Sequence, residues 1–144
     1  ARSHHFLGVN SDGFASIVNT TGNPDTHIVL RGGTKGPNFD NSHIKNISTD
    51  LSKCNLPQKV MIDCSHGNSN KDFRKQALVL ENISRQLKGG ENNILGVMLE
   101  SHLKEGNQKL GAKNELEYGK SITDACIDIK TTENLLSNLY KSIP

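Results

Sequence analysis

The sequence predicts an α/β fold: a partial (β/α)8 TIM barrel of about three βα units, preceded by an inserted β-hairpin. Two observations carry this. Apolar runs of strand type at 27–31, 60–62 and 95–99 alternate with segments of helical apolar spacing, an order that builds a parallel sheet with right-handed crossovers. Each run also leads into a polar residue able to do chemistry, in order Arg31, His66 and Glu100, with Asp124 after a long loop. Ligands collect at the carboxyl ends of strands in such folds. Neither the G-x-G-x-x-G pattern nor the phosphate-loop pattern occurs, so nucleotide-binding versions gain no support. A complete barrel takes about 250 residues, and 144 residues supply part of one.

Each element follows from local pattern. Phe6–Val9 and Phe14–Val18 flank Asn10-Ser11-Asp12-Gly13 and predict a hairpin over 5–19. Gly22-Asn23-Pro24 is a second turn, after which the barrel part, 26–144, begins. His27-Ile28-Val29-Leu30-Arg31 reads as a strand buried on both faces, stopping at Gly32-Gly33. Asp40 caps a helix with Ile44, Ile47 and Leu51 inward. Val60-Met61-Ile62 is the next strand. A polar loop rich in Gly and Asn follows, then a helix on Phe73, Ala77, Leu80, Ile83 and Leu87 that Gly89-Gly90 ends. Leu95–Leu99 is a third buried strand. The polar segment 101–123 has the length of a functional or disordered loop. Thr131 or Thr132 caps a last helix carrying Leu135, Leu136, Leu139 and Ile143.

Composition narrows the function classes. The chain is 33% hydrophobic and 4% aromatic with no Trp, lean for an independent core. A net charge of +2 with 22% charged residues argues for neither nucleic acid nor an anionic membrane. No apolar run approaches the roughly 20 residues of a membrane helix. The opening Ala1-Arg2-Ser3-His4-His5 has neither initiator Met nor the apolar core of a signal peptide, and reads as if cut from something longer. Cys54, Cys64 and Cys126 form no C-x-x-C pair, which favours reduced thiols and a cytoplasmic location.

On a strand, alternate residues share a face, which would set Arg31 with Val29, His66 with Cys64 and Ile62, and Glu100 with Met98. If the strands line one barrel, their polar ends converge on one mouth. His66, Glu100 and Asp124 together make a nitrogen/oxygen donor set suited to Mn, Fe, Co or Zn. Arg31, followed by two glycines that permit close approach, suits a phosphate or carboxylate as a two-pronged donor. Plainer readings stand beside these. His66 could be a hydrogen-bonded loop residue, Glu100 could face solvent, Asp124 could cap the Ala125-Cys126 segment, and Cys64 could be packing.

Longer motifs sharpen the choice. His27–Gly33 with Pro37-Asn38-Phe39-Asp40, Met61–Asp72, Gly96–His102 with Glu105-Gly106-Asn107-Gln108, and Tyr118–Cys126 resemble 3-deoxy-D-arabino-heptulosonate-7-phosphate (DAHP) synthase, in its feedback-regulated bacterial and fungal family. The resemblance covers essentially the whole chain. It implies condensation of phosphoenolpyruvate with erythrose 4-phosphate, releasing inorganic phosphate, as the first step of the shikimate pathway to chorismate and the aromatic amino acids. It implies that His66, Glu100 and Asp124 are divalent-metal ligands and that Arg31 binds phosphoenolpyruvate. Phe6, Gly8 and Val18 fall on positions lining the family's aromatic amino acid inhibitor pocket. Gly8 replaces a Ser of phenylalanine-sensitive relatives, so the parent protein is expected not to be inhibited primarily by phenylalanine.

The family's fourth metal ligand, a cysteine on an early strand, is absent, as are upstream lysines and arginines of its phosphate sites. The resemblance thus implies that residues 1–144 are the carboxyl-terminal part of one catalytic domain in a dimeric or tetrameric enzyme. The segment alone is expected to fold poorly and to be inactive. Two other readings remain: another metal-dependent barrel aldolase, or a non-catalytic fragment keeping a regulatory surface.

Overall fold

A computed structural model describes residues 2–144; Ala1, the first residue of the expected 1–144 unit, lies outside the described residues. Strands β1 (His4–Val9) and β2 (Ala15–Thr20) form an antiparallel hairpin in which Phe6 faces Val18 and Gly8 faces Ser16. The Asn10 side chain closes the turn by accepting from the backbone N–H groups of Asp12 and Phe14. Gly13 supplies the left-handed φ of +84° there.

The rest is a mixed α/β arrangement. Strands β3 (Ile28–Leu30), β4 (Val60–Asp63) and β5 (Ile94–Met98) form a parallel sheet with β4 in the middle. Helix α1 (Asn41–Lys53) connects β3 to β4, and α2 (Gln76–Lys88) connects β4 to β5. Two short strands, β6 (Ser101–His102) and β7 (Ile127–Asp128), pair in parallel before helix α3 (Ile129–Tyr140).

The core lies between this sheet and its helices. Ile44 of α1, Ile62 of β4 and Ile83 of α2 have no exposed surface, each burial being worth about 1.5–3 kcal/mol. No hairpin residue belongs to this cluster. Among the described residues no helix is long and apolar enough to cross a membrane.

Several expectations need correction. Of the three strands expected to be buried, only the central β4 is so nearly throughout, because β3 and β5 are edges of the sheet in this chain. Ile28 and Leu95 are exposed. Helix α3 is capped by neither Thr131 nor Thr132. Asp128 accepts from the Thr131 N–H at 2.6 Å, while the Thr132 hydroxyl donates to the Asp128 carbonyl at 2.8 Å. The Asp128 carboxylate one turn upstream outcompetes the hydroxyls because it accepts more strongly.

The α1 cap is as expected. Asp40 accepts from the N–H groups of Ser42 and His43. Hydrogen bonding from the Ser42 hydroxyl and then from His43 outweighs slight burial and lowers the Asp40 carboxyl to a pKa of about 2. The 101–123 loop is ordered rather than loose. The Gln108 amide bonds the backbone of Glu117 and Lys120, and bridges join Gly106 to Cys126 and Asn107 to Ser121.

Candidate functional site

Strand β4 ends at Asp63, and the chain then turns through a tight loop. His66, Asn70 and Lys71 all have left-handed backbone, at φ 47°, 53° and 61°, which costs a non-glycine residue of order 1–3 kcal/mol. The turn ends the strand alternation at Asp63. His66 therefore does not share a strand face with Cys64 and Ile62, as periodicity implied. Those two are wholly buried, whereas His66 is partly exposed in a cleft of about 280 Å3. Ser65, Lys71, Phe73, Glu100 and Asp124 line the same cleft.

The loop is held by close backbone packing. Gly67 N–H donates to the Arg31 carbonyl at 3.1 Å. A Cβ on Gly32, which has φ +81°, would lie 2.5 Å from the carbonyl carbon of Gly67. Gly32 thus admits the neighbouring loop, not a ligand as its sequence context implied. Asn68, buried, donates to the carbonyls of Leu30 and Asp63 and accepts from the Asn38 N–H at 2.8 Å. The ends of β3 and β4 are thereby fastened together.

His66, Glu100 and Asp124 each place one ligand-capable atom within 4.8 Å of the others. His66 Nε2 lies 3.4 Å from Glu100 Oε1. Donors about 2.0–2.2 Å from a shared ion sit at separations of this order. Two carboxylates and one imidazole are also a suitable donor set for a borderline divalent cation. The residues present therefore fit a metal ion. Asp124 does not cap the segment after it; it stays exposed at the cleft.

Arg31 is not in the cleft lining but beside it. Its Nε lies 3.7 Å from Asp63 Oδ2, and the same oxygen lies 2.8 Å from His66 Nδ1. The latter contact is short but off the N–H direction, so it is a close approach rather than an aligned hydrogen bond. Phe6, Gly8 and Val18 lie together on one face of the hairpin.

Asp63, Gln76 and Lys71 were not singled out from sequence, and the first two left a trace there. Asp63 is a charge closing an apolar strand run. Gln76 interrupts the apolar helix stripe of Leu80, Ile83 and Leu87, yet it is completely buried. Its amide Oε1 accepts from the Glu100 N–H at 2.8 Å and its Nε2 donates to the Glu100 carbonyl at 3.1 Å. Ser65 donates its hydroxyl to Glu100 Oε2. Burial, with the nearby Asp63 charge, pushes the Cys64 thiol up to about 12, so it stays protonated and serves as packing.

Comparison with known proteins shows the family. A model of the DAHP synthetase I family matches residues 1–137. The chain is 47% identical over 147 aligned residues to the tyrosine-inhibited phospho-2-dehydro-3-deoxyheptonate aldolase of Schizosaccharomyces pombe, covering 99% of this chain and 40% of that protein. It is 51% identical over 140 residues to the Phe-sensitive enzyme of Escherichia coli K12, covering 97% and 40%. The solved phospho-2-dehydro-3-deoxyheptonate aldolase of Francisella tularensis SCHU S4 superposes with a TM-score of 0.88 at 45% identity, covering 98% of this chain and 41% of that one. The chain thus spans about 40% of the length of these curated relatives. On the family match and these identities together, the chain belongs to the DAHP synthetase I family.

Proposed function

We propose that this chain is the carboxyl-terminal part of a DAHP synthase, supplying about the last three βα units of a (β/α)8 barrel and most of one metal site. The reaction is condensation of phosphoenolpyruvate with erythrose 4-phosphate to 3-deoxy-D-arabino-heptulosonate 7-phosphate and inorganic phosphate. The observation that carries this reading is the convergence of His66 and Glu100, just beyond the carboxyl ends of the parallel strands β4 and β5, with Asp124 from the segment before β7, in a chain of this family.

His66 Nε2, Glu100 and Asp124 would hold a divalent ion such as Mn, Fe, Co or Zn, with a fourth ligand from elsewhere in the complete protein. The bound ion would supply Lewis acidity toward the aldehyde oxygen of erythrose 4-phosphate. Arg31 would bind the anionic phosphoenolpyruvate and neutralise part of its charge, holding its enol carbon for attack. Asp63 would orient Arg31 and His66 together from behind. The ordered loop 66–71 walls the cleft on one side.

The hairpin face of Phe6, Gly8 and Val18 would line an aromatic amino acid effector site, in a cytoplasmic dimer or tetramer. Three donors and two open sheet edges leave the isolated segment inactive. The intact set Arg31, His66, Glu100 and Asp124 weighs against a degenerate, non-catalytic relative.

The test uses a full-length protein carrying this segment. Metal-dependent release of phosphate from phosphoenolpyruvate, requiring erythrose 4-phosphate and lost by at least about 100-fold in His66→Ala, is expected. Metal-dependent turnover with other aldehydes but not erythrose 4-phosphate would instead point to a different barrel aldolase.

A further inference from the structure

We propose that Ser65 and Gln76 are positioning residues that preset Glu100 as a one-oxygen metal ligand, presenting Oε1 and restraining Oε2. The inference rests on the metal-site reading above and concerns how that site is built.

Glu100 lies two residues beyond the end of β5, outside the sheet ladder. Its backbone is nevertheless fixed. Gln76 bonds both its N–H and its carbonyl, and the Ile127 N–H donates a second bond to that carbonyl at 3.0 Å. Gln76 is the first residue of α2 and is completely buried; that helix is anchored in the core through Val79, Leu80 and Ile83. A buried carboxamide without partners would be destabilising. Here both ends of the amide are spent on a single residue, a candidate ligand 24 positions away.

The side chain is divided in the same way. Ser65, 3% exposed, directs its only hydroxyl proton at Glu100 Oε2, and a hydrogen bond to a carboxylate is among the stronger kinds. Oε1 is left 3.4 Å from His66 Nε2. The Ser65 backbone N–H also donates to Asp63 Oδ1 at 2.8 Å, and Asp63 in turn approaches His66. One loop therefore sets both the imidazole and the carboxylate. With Oε2 engaged by Ser65, Glu100 would offer a bound ion one oxygen rather than two, and catalytic metal sites keep a position open for substrate.

A merely structural role, stapling α2 to the end of β5, would alter stability and leave metal binding alone. The experiment therefore reads cobalt(II) binding to the full-length protein by titration and by visible absorption, beside thermal unfolding of the metal-free protein. Ser65→Ala is expected to weaken and shift the cobalt(II) bands, as Oε2 becomes free to bind and the coordination number rises. Gln76→Met, of similar length but without the amide, is expected to lower metal affinity about 10- to 100-fold. Wild-type affinity and spectrum in Ser65→Ala would overturn the proposal; this small truncation decides the matter even if Gln76→Met fails to fold. Metal affinity unchanged in a folded Gln76→Met would remove Gln76 from it. His66→Ala separates the two levels: cobalt(II) binding like that of the wild type would reject the metal site itself.

Discussion

Asp63 Oδ2 lies between two candidate functional groups, 2.8 Å from His66 Nδ1 and 3.7 Å from Arg31 Nε. Asp63 is 1% exposed, and its carboxylate faces the Arg31 guanidinium and accepts from the Ser65 N–H at 2.8 Å. The carboxylate stands on the imidazole nitrogen opposite Nε2, the atom that faces Glu100. A carboxylate held this close to the far nitrogen of a ligating histidine bears on the aim of the ring.

Replacing Asp63 by Asn keeps the shape and removes the charge. In the full-length protein, metal affinity is expected to fall about 10- to 100-fold, with a raised KM for phosphoenolpyruvate as Arg31 loses its anchor. Calorimetric metal titration and steady-state kinetics check this; unaltered metal affinity would rule out the orienting role.

Gly32 and Gly33 are adjacent but not equivalent. Gly32→Ala would drive a Cβ into Gly67 from a left-handed backbone and is expected to cost upwards of about 2 kcal/mol. Gly33 has open space where a Cβ would stand, so Gly33→Ala is expected to stay within about 0.5 kcal/mol. Denaturant unfolding of both variants measures the contrast, and equal costs would contradict the close approach of the two loops.

Asp40 couples α1 to pH. Its carboxyl is held at about 2 rather than the ordinary 3.8, so its ionised form is favoured on folding. The stabilisation is complete above about pH 4 and disappears as pH falls through about 2. Asp40→Ala is expected to cost about 1 kcal/mol at neutral pH, and the gap from wild type is expected to close across that acid window. Unfolding curves at neutral and acid pH measure it; a gap that persists at pH 2 would mean the cap does not act through its charge.

The hairpin bears on inhibitor choice. A Cβ on Gly8 would meet Val18 Cγ2 at 3.0 Å, with the Phe6 ring at 3.6 Å, so a side chain there presses on its neighbours in the proposed effector face. The full-length enzyme is expected not to be inhibited chiefly by phenylalanine, and Gly8→Ser is expected to shift the preference toward it. Inhibition assays with phenylalanine, tyrosine and tryptophan decide; dominant inhibition of the wild type by phenylalanine would refute the assignment.

Elements with strong local signals are legible in the sequence. The Asn10–Gly13 turn, the Asp40 cap and the alternation of β3, α1, β4, α2 and β5 follow from residue type and order. Residue type and order bring His66, Glu100 and Asp124 together only if the strands line one mouth, and their reading as a ligand set rests on the family resemblance. Weak signals failed where neighbours in space compete. Two-residue strands such as β6 and β7 have no periodicity to read. Asp128 displaced the threonines at the α3 cap because acceptor strength, not mere presence, settles a cap.

Periodicity and residue chemistry thus carry the identity of the elements and of the groups that do chemistry, because both are properties of short stretches. The supporting layer lies beyond their reach. Asp63 behind His66, Gln76 clamping Glu100 and Gly67 pressed onto Gly32 are pairings whose meaning depends on distance across strands. Asp63 and Gln76 read locally as an ordinary charge and an ordinary polar helix residue. Folding buries both and leaves each a few well-placed partners, and it is this desolvation that turns them into parts of a site.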